Sequence, residues 1–283
     1  MLTVLAVGPQ VLVQDRGRIG YAHLGVPRAG ALDAPAADLG NRLVGNDPDA
    51  AVLEILLGGL SVRAERACWV SVTGAASPVT VDGVAAAHGE AVRLRAGAVL
   101  ALGRPVAGTR SYLAVGGGID IAPVLGSRST DTLAGIGPAP VAVGDRLPVG
   151  ADSGVPAALD TPRPPLRGAI RVLPGPHREW FGADVLDRLA GAGWRVAAAS
   201  NRVGLRLEGG TLARIAGELP SEGTVLGAVQ VPPDGRPVVL LADHGSTGGY
   251  PVAGVVHADD LWQLAQARPG ERVTLRALPP ASG

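Results

Sequence analysis

The sequence contains no lysine, because all 25 of its basic residues are arginine. A phosphate-binding P-loop needs a lysine on the nucleotide phosphates, so this chain cannot carry that motif. The same absence excludes a Schiff base on a side chain, and it excludes biotin carried on a lysine of this chain. Any chemistry that needs a lysine therefore requires another protein.

Cysteine is also scarce. A single cysteine, Cys68, excludes an internal disulfide and a thiolate zinc cluster. It lies in an apolar run, so we predict a buried and unreactive thiol. The 5 histidines show none of the short spacings that are typical of zinc sites, and we predict no bound metal.

The chain has neither an excess of one charge nor a long apolar run. Its formal net charge is zero and no basic stripe stands out, so we expect no nucleic-acid partner. No apolar run approaches the roughly 20 residues that a membrane-spanning helix needs. The first residues run into a strand-like segment without the basic start of a signal peptide. We therefore expect a cytoplasmic protein without membrane contact.

Glycine and proline are abundant, with 42 and 24 residues, whereas aromatic residues make up only 3%. This composition favours many turns and short strands over long helices, and 47% hydrophobic residues suffice for a real core. We predict a mainly β fold with a few short helices. Proline-rich residues 151–168 are predicted to link two β-rich subdomains, 1–150 and 169–283.

Residues 225–251 read as strand, turn, strand and polar loop. Pro232 to Gly235 give the turn, because proline presets φ and glycine accepts a positive φ. The apolar run Val238 to Ala242 then leads into a loop with an acid, an imidazole, hydroxyls and three glycines. Such a loop is either a site of chemistry or an ordinary polar hairpin end. A serine hydrolase has little support, because the chain has no Gly-x-Ser-x-Gly elbow.

Two further segments are rich in polar side chains. Residues 14–33 form a long irregular stretch that ends at Asp33, which is either a helix N-cap or a functional acid. Residues 126–131, Gly-Ser-Arg-Ser-Thr-Asp, place one guanidinium among three hydroxyls. That combination suits recognition of a carboxylate or phosphate, and the alternative is an Arg128–Asp131 brace within the loop. Glu54, inside an apolar strand, is expected to pair with an arginine.

Ten motifs follow one another along the chain: QDRGRIGYAHLGVPRAGALD, NRLVGND, LEILLGG, LAVGGGID, LGSRSTD, GD, LPGP, SNRVGLRLEG, GAVQVPPDGRPVVLLAD and TGGYP. In this order they resemble the allophanate hydrolase subunit 2 family. Its members include the C-type subunit of bacterial ATP-dependent 5-oxoprolinase, the regulator KipA and the carboxyltransferase part of urea amidolyase. The match runs in order over nearly the whole chain, and it is specific because about ten motifs recur together rather than one alone.

The resemblance implies two cyclophilin-like β-barrel subdomains that work with companion proteins. The expected partners are a B-type 5-oxoprolinase protein (KipI/AHS1-like) and an A-type 5-oxoprolinase protein (LamB/YcsF-like). The complex would open 5-oxo-L-proline to L-glutamate with hydrolysis of ATP, whose site is not assigned to this chain, and no cofactor would be bound covalently. Alternatives are a carboxyltransferase component of a biotin-dependent urea or amide carboxylase, and a non-catalytic KipA-type regulator that binds a KipI-like partner.

The resemblance also transfers loop positions. Catalytic roles are predicted for Asp243, Arg128 and Asp131. Substrate-binding roles are predicted for Asp15, Arg18, Gly30, Asp33, Ser127, Ser129, Thr130, Gln230, Thr247, Gly248, Gly249 and Tyr250. The chain departs from the family at Gly245 and Ser246, where glutamine and threonine are common, and this departure bears on the substrate.

Overall fold

The computed structural model describes residues 1–151, 156 and 167–279. These residues fall into two compact units. The first unit comprises residues 1–18, 29–131 and a stretch that begins at 135, and the second comprises 19–28, 132–134 and the described residues from 167 onward. Most of the predicted linker, 151–168, lies outside the described residues, so the predicted domain boundaries stay predictions.

The first unit contains two antiparallel sheets and one helix, α1 (Ala34–Leu43). Its strands are β1 (Leu2–Ala6), β2 (Gln10–Gln14), β3 (Val52–Leu56), β4 (Ser61–Ala64), β5 (Cys68–Ala76), β6 (Val79–Val81), β7 (Val84–Ala86), β8 (Ala91–Leu94), β9 (Val99–Leu102), β10 (Ala107–Val115) and β11 (Arg146–Leu147). A six-stranded sheet has the order β11-β1-β4-β9-β6-β7, and a five-stranded sheet has the order β2-β3-β10-β5-β8.

Strand β10 shows how the first core is organised. Successive side chains of a strand point to opposite faces. Leu113 and Val115 join the apolar core that both sheets share, whereas Tyr112 and Ala114 pack with Ala37 of α1. The five-stranded sheet is therefore covered on both faces. Cys68 is a free, buried thiol, as predicted.

The second unit contains a seven-stranded sheet and a two-stranded ribbon. Its elements are β12 (Ile170–Pro174), α2 (Val185–Gly191), β13 (Arg195–Val196), β14 (Gly204–Glu208), β15 (Glu222–Gly223), β16 (Ala228–Gln230), β17 (Val238–Leu240), β18 (Thr247–Gly248), β19 (Val252–Val256), α3 (Leu261–Gln266) and β20 (Leu275–Ala277). The sheet order is β13-β14-β17-β16-β19-β12-β20, and β15 pairs with β18. The predicted turn is present, since the Gly235 N–H donates to the Pro232 carbonyl at 2.9 Å.

Two glycines divide elements that the sequence predicts as continuous. The apolar face over residues 180–189 predicts one helix, but a short 3-10 turn, Arg178–Trp180, precedes α2. Gly182 lies between them with a φ of +92°, which is incompatible with a continuing helix. The sequence likewise predicts one strand over 91–102, but Gly97, with a φ of +82°, lies in the turn that separates β8 from β9.

The prediction of a mainly β chain with short helices and β-rich subdomains is confirmed. None of the helices in the described ranges combines the length and the apolar composition of a membrane span.

Candidate functional site

In the first unit, the Asp15 carboxylate organises the Ser127–Asp131 segment. Its Oδ1 accepts hydrogen bonds from the hydroxyls of Ser127 and Ser129, each at 2.6 Å. Its Oδ2 accepts from the Arg128 backbone N–H at 2.5 Å. The Gly17 N–H donates to the same carboxylate at 2.8 Å. An ionised carboxylate is a strong acceptor, so these bonds fix the loop conformation.

Further bonds fasten this segment to the end of β2. The Gln14 side-chain amide donates to the Thr130 carbonyl at 2.8 Å, and the Thr130 N–H donates to the Val13 carbonyl at 2.9 Å. Arg18 is 1% exposed and donates to the carbonyls of Ser129 and Val124. The predicted residues Asp15, Arg18, Ser127, Ser129 and Thr130 therefore form one cluster, and most of it is buried.

Gly30 packs directly against the backbone of this cluster. Its φ is +100°, and a Cβ there would lie 3.1 Å from the Arg16 carbonyl carbon. The next residue, Ala31, donates its N–H to the Asp15 carbonyl at 3.0 Å. Any larger side chain at position 30 would strain this contact.

Arg128 points away from the buried hydroxyls. Its Nε donates to the Ile121 carbonyl at 2.7 Å, and its Nη2 lies 2.9 Å from Asp120 Oδ1. The alternative of an Arg128–Asp131 brace is wrong in its partner, because the guanidinium of Arg128 pairs with Asp120. Asp131 is buried, with 1% exposure. The Arg128 side chain is 32% exposed, so it presents a positive charge at the surface of the loop.

Asp33 is the N-cap of α1. Its side chain accepts from the Ala36 N–H at 3.1 Å, and its own N–H donates to the Tyr112 hydroxyl at 2.8 Å. The Tyr112 hydroxyl donates to Glu54 Oε2 at 2.9 Å, and Arg110 lies 3.4 Å from Glu54 Oε1. The predicted cap and the predicted arginine partner of Glu54 are both confirmed.

Burial strongly raises the pKa of the Tyr112 phenol. The carboxylates of Glu54 and Asp33 add to the effect, since a second negative charge beside them is unfavourable. The phenol is therefore held in its neutral form, as a donor to Glu54. This network fixes the entry into α1, and the substrate-binding role of Asp33 stays a prediction.

In the second unit, Asp243 is a completely buried anchor with 0% exposure. Arg202 binds it with both arms of its guanidinium, at 2.9 and 2.8 Å. Thr132 adds its backbone N–H at 3.0 Å and its hydroxyl at 2.6 Å. Asp243 thus holds together three distant segments of this unit, and its catalytic role stays a prediction.

The loop after Asp243 is fixed to the β15–β18 ribbon. His244 Nδ1 lies 2.8 Å from the Gly245 carbonyl and 3.1 Å from the Thr224 hydroxyl. A Cβ on Gly248 would lie 2.7 Å from the Gln230 side-chain nitrogen, so that amide occupies the space beside the loop. Gln230 and Gly248, which are both predicted to bind substrate, are therefore neighbours in the structure.

The remaining predicted loop residues are Thr247 in β18 and Gly249 and Tyr250 just after it. Thr247 and Tyr250 are exposed, with Tyr250 at 45%. A Cβ on Gly249 would lie 3.1 Å from the Leu219 carbonyl oxygen. The site roles predicted for all these residues stay predictions.

Several polar residues at these loops were not singled out from the sequence. They are Thr132, His177, Arg202, Glu222 and Thr224. Each contacts a residue that is distant in the chain, so no local spacing marks it. The motif SNRVG contains Arg202, but only the fold brings it to Asp243. Among the described residues, no group of three or more His, Cys, Asp or Glu side chains is arranged to hold a metal ion.

The folds and loops define a two-part β protein whose glycine-rich loops present polar side chains, the class expected of carboxyltransferase-type domains. Residues 24–277 match the family described as carboxyltransferase domain, subdomain A and B. The chain belongs to this family, as its motifs predict.

Curated relatives extend over nearly the whole chain. It is 41% identical over 278 residues to the 5-oxoprolinase C-type subunit of Escherichia coli, covering 96% of this chain and 90% of the relative. The protein of the same name from Haemophilus influenzae is 34% identical, with coverages of 98% and 91%. Urea amidolyase of Saccharomyces cerevisiae is 30% identical over 94% of this chain, which spans only 16% of that longer protein.

A solved structure is also similar. The crystal structure of TTHA0988 superposes with a TM-score of 0.89 at 40% identity, covering 97% of this chain. This chain spans 55%, or about half, of that protein's length.

Proposed function

We propose that this chain is the C-type subunit of an ATP-dependent 5-oxoprolinase, which opens 5-oxo-L-proline to L-glutamate. The observation that carries the proposal is the likeness, over nine-tenths of their length, to two proteins named as this component of 5-oxoprolinase. The chain acts as an amide-ring hydrolase only together with its companions. These are a B-type 5-oxoprolinase protein (KipI/AHS1-like) and an A-type 5-oxoprolinase protein (LamB/YcsF-like).

ATP is used by the complex, and no site for it is assigned to this chain. The absence of a P-loop lysine agrees with a nucleotide site elsewhere in the complex. The partly exposed Arg128 suits the substrate carboxylate, because a guanidinium binds such a group through two parallel hydrogen bonds. The amide of Gln230 suits a polar group of the substrate. Location in the cytoplasm stays a prediction.

A second candidate is a carboxyltransferase that acts on urea or a related amide. It is favoured by the likeness to urea amidolyase. Since this chain has no lysine, biotin would have to come from a separate carrier protein. A KipA-type regulator, which binds a KipI-like partner without turnover, is a third reading of the same motifs.

The proteins that accompany this chain separate the three candidates. A tagged copy, expressed in its own cells and purified gently, is expected to bring both the B-type and the A-type companions, as mass spectrometry would identify. Recovery of a biotinylated carrier, detected with avidin, would favour carboxyl transfer. Recovery of a B-type protein alone, in a complex without turnover, would favour the regulator.

A further inference from the structure

His177 lies in the loop after β12 and is fixed against the start of β19. The Gly175 N–H donates to the Ala253 carbonyl at 3.2 Å. A Cβ on Gly175 would lie 2.2 Å from the Val252 carbonyl oxygen, so the loop needs glycine there. The Val252 N–H then donates to His177 Nδ1 at 3.1 Å. The imidazole is 10% exposed and is held in one orientation.

This hydrogen bond determines which ring nitrogen carries the proton. An imidazole whose Nδ1 accepts from a backbone N–H carries its proton on Nε2. His177 Nε2 lies 3.3 Å from Glu222 Oε1. The Nε2 edge of the ring therefore lies next to the Glu222 carboxylate and limits the space open to it.

Glu222 stands on the ribbon that carries the Thr-Gly-Gly loop. It opens β15 and pairs with Gly248 of β18. Its side chain is 42% exposed, so it can reach a ligand. Residues two apart on a strand share a face, so Thr224 lies on the same side as Glu222.

The same face also offers a hydrogen-bond donor. The place that a Gly248 Cβ would take is 2.7 Å from the Gln230 side-chain nitrogen. A carboxylate only accepts hydrogen bonds when ionised, whereas a glutamine amide nitrogen donates them. An amide ligand needs both, one acceptor for its N–H and one donor for its carbonyl oxygen.

We propose that Glu222 accepts the hydrogen bond from the N–H of an amide substrate, and that His177 is its positioning residue. The substrate class, a cyclic amide or a urea, rests on the function proposed above. Gln230 is the matching donor to the amide carbonyl. This assignment gives a role to two residues that the family motifs do not single out.

Two variants of His177 separate positioning from structure. In His177→Asn, the side-chain oxygen can still accept from the Val252 N–H, but the shorter side chain cannot reach Glu222. In His177→Gln, the terminal amide nitrogen takes the place of Nε2 and can donate to Glu222. In the complex with its companion proteins, we expect His177→Asn to keep the melting temperature within a few degrees while kcat/KM falls about 10-fold or more. His177→Gln should retain most of the wild-type kcat/KM.

Glu222→Gln tests the acceptor itself. Its kcat/KM should fall about 10- to 100-fold, mainly through a higher KM, because one charge-assisted hydrogen bond to the substrate is lost. Glu218→Gln is the matched control, since it is the same change at an exposed residue of the same unit. It should behave as the wild type.

The assay uses 5-oxoproline and urea as separate substrates, so failure of the two proposals can be told apart. If the complex turns over 5-oxoproline and the Glu222 and His177→Asn variants match the wild type, the Glu222 assignment is wrong and the oxoprolinase assignment stands. If the complex instead carboxylates urea and these variants lose that activity, the Glu222 assignment stands and the oxoprolinase assignment is wrong. If neither amide is turned over, both proposals are overturned.

Discussion

At the level of single residues, two aspartates anchor the loops. Asp15 gathers hydroxyl and backbone donors from residues 127–129, and Asp243 gathers Arg202 and Thr132. A buried carboxylate is stable only when its oxygens are paired in this way. Both residues therefore define loop geometry, and most of the side chains that they hold are buried with them.

Arg128 is the residue whose role can be tested most cleanly. If its guanidinium binds an anionic group of the substrate, Arg128→Ala should abolish activity in the complex and leave the melting temperature within a few degrees. Arg128→Lys should not restore activity, because lysine cannot form two parallel hydrogen bonds. The melting temperature and kcat/KM of the purified complex provide the measurement.

Asp120 supplies the control for Arg128. Asp120→Ala removes the same ion pair but leaves the arginine in place. We expect it to keep most of the activity, since exposed pairs contribute about 1 kcal/mol or less. Equal losses of activity in Asp120→Ala and Arg128→Ala would mean that Arg128 only braces the loop.

The raised pKa of Tyr112 predicts that the protein loses stability at high pH. Its folded-state pKa is raised above the ordinary 10.0, so its contribution is fully present below about pH 10 and is lost as pH rises through the folded-state value. Since the chain has no lysine, few other groups titrate in that range. We expect the free energy of unfolding to fall as pH rises from 8 to about 11, which is about one unit past the ordinary pKa. Unfolding in urea at each pH provides the measurement.

Tyr112→Phe should flatten this pH dependence. At pH 8 it should also cost roughly 2 kcal/mol, because Glu54 loses a hydrogen-bond donor. Tyr250→Phe is the control, since that side chain is 45% exposed. An unchanged slope in Tyr112→Phe would contradict the assigned cause.

At the level of elements, the loop after Asp243 depends on close approach at one glycine. A Cβ at Gly248 would lie 2.7 Å from the Gln230 nitrogen and 3.0 Å from Thr224 Cγ2. Gly248→Ala should therefore displace these side chains, and kcat/KM should fall about 10- to 100-fold, as expected for a small misplacement. The melting temperature should change little, because the nearest group is the end of a flexible side chain.

Gly245→Ala in the same loop is the comparison. A Cβ there would meet its nearest atom, the Thr247 carbonyl oxygen, at 3.4 Å, which is an ordinary contact. We expect nearly wild-type activity from this variant. If the two alanine variants lose activity equally, the loop is sensitive to any added methyl group and the geometry around Gln230 is not the cause.

Sequence patterns predicted the presence of helices, strands and turns better than the residues at which they begin and end. The strand, turn and strand before Asp243, the N-cap at Asp33 and the arginine partner of Glu54 follow from local rules and are confirmed. The break at Gly182 was missed, since an apolar helical face is equally compatible with a short turn followed by a helix. Whether a glycine takes a positive φ depends on tertiary packing.

The site was predictable in its loops but not in its pairings. Motif resemblance marked Asp15, Ser127 and Ser129, which the structure brings together. It could not show that Arg128 turns to Asp120, because local spacing does not determine which nearby carboxylate an arginine meets. It also could not show that His177 meets Glu222, because that contact joins segments far apart in the chain. Long-range pairing of polar groups becomes visible only in the folded chain.

At the level of the whole molecule, membership of the carboxyltransferase domain family does not by itself select one reaction. Its relatives include the C-type subunit of 5-oxoprolinase and urea amidolyase. The oxoprolinase is favoured because the chain matches the Escherichia coli and Haemophilus influenzae proteins over almost their full length. The proteins that accompany this chain are therefore the observation that separates the candidate reactions.

The most direct test of the central proposal is reconstitution. The chain is combined with its B-type and A-type companions, and glutamate formed from 5-oxoproline is measured with and without ATP. We predict ATP-dependent glutamate formation that disappears when this chain is omitted. Glutamate formation at the same rate without this chain, or none with all three proteins and ATP, would contradict the assignment.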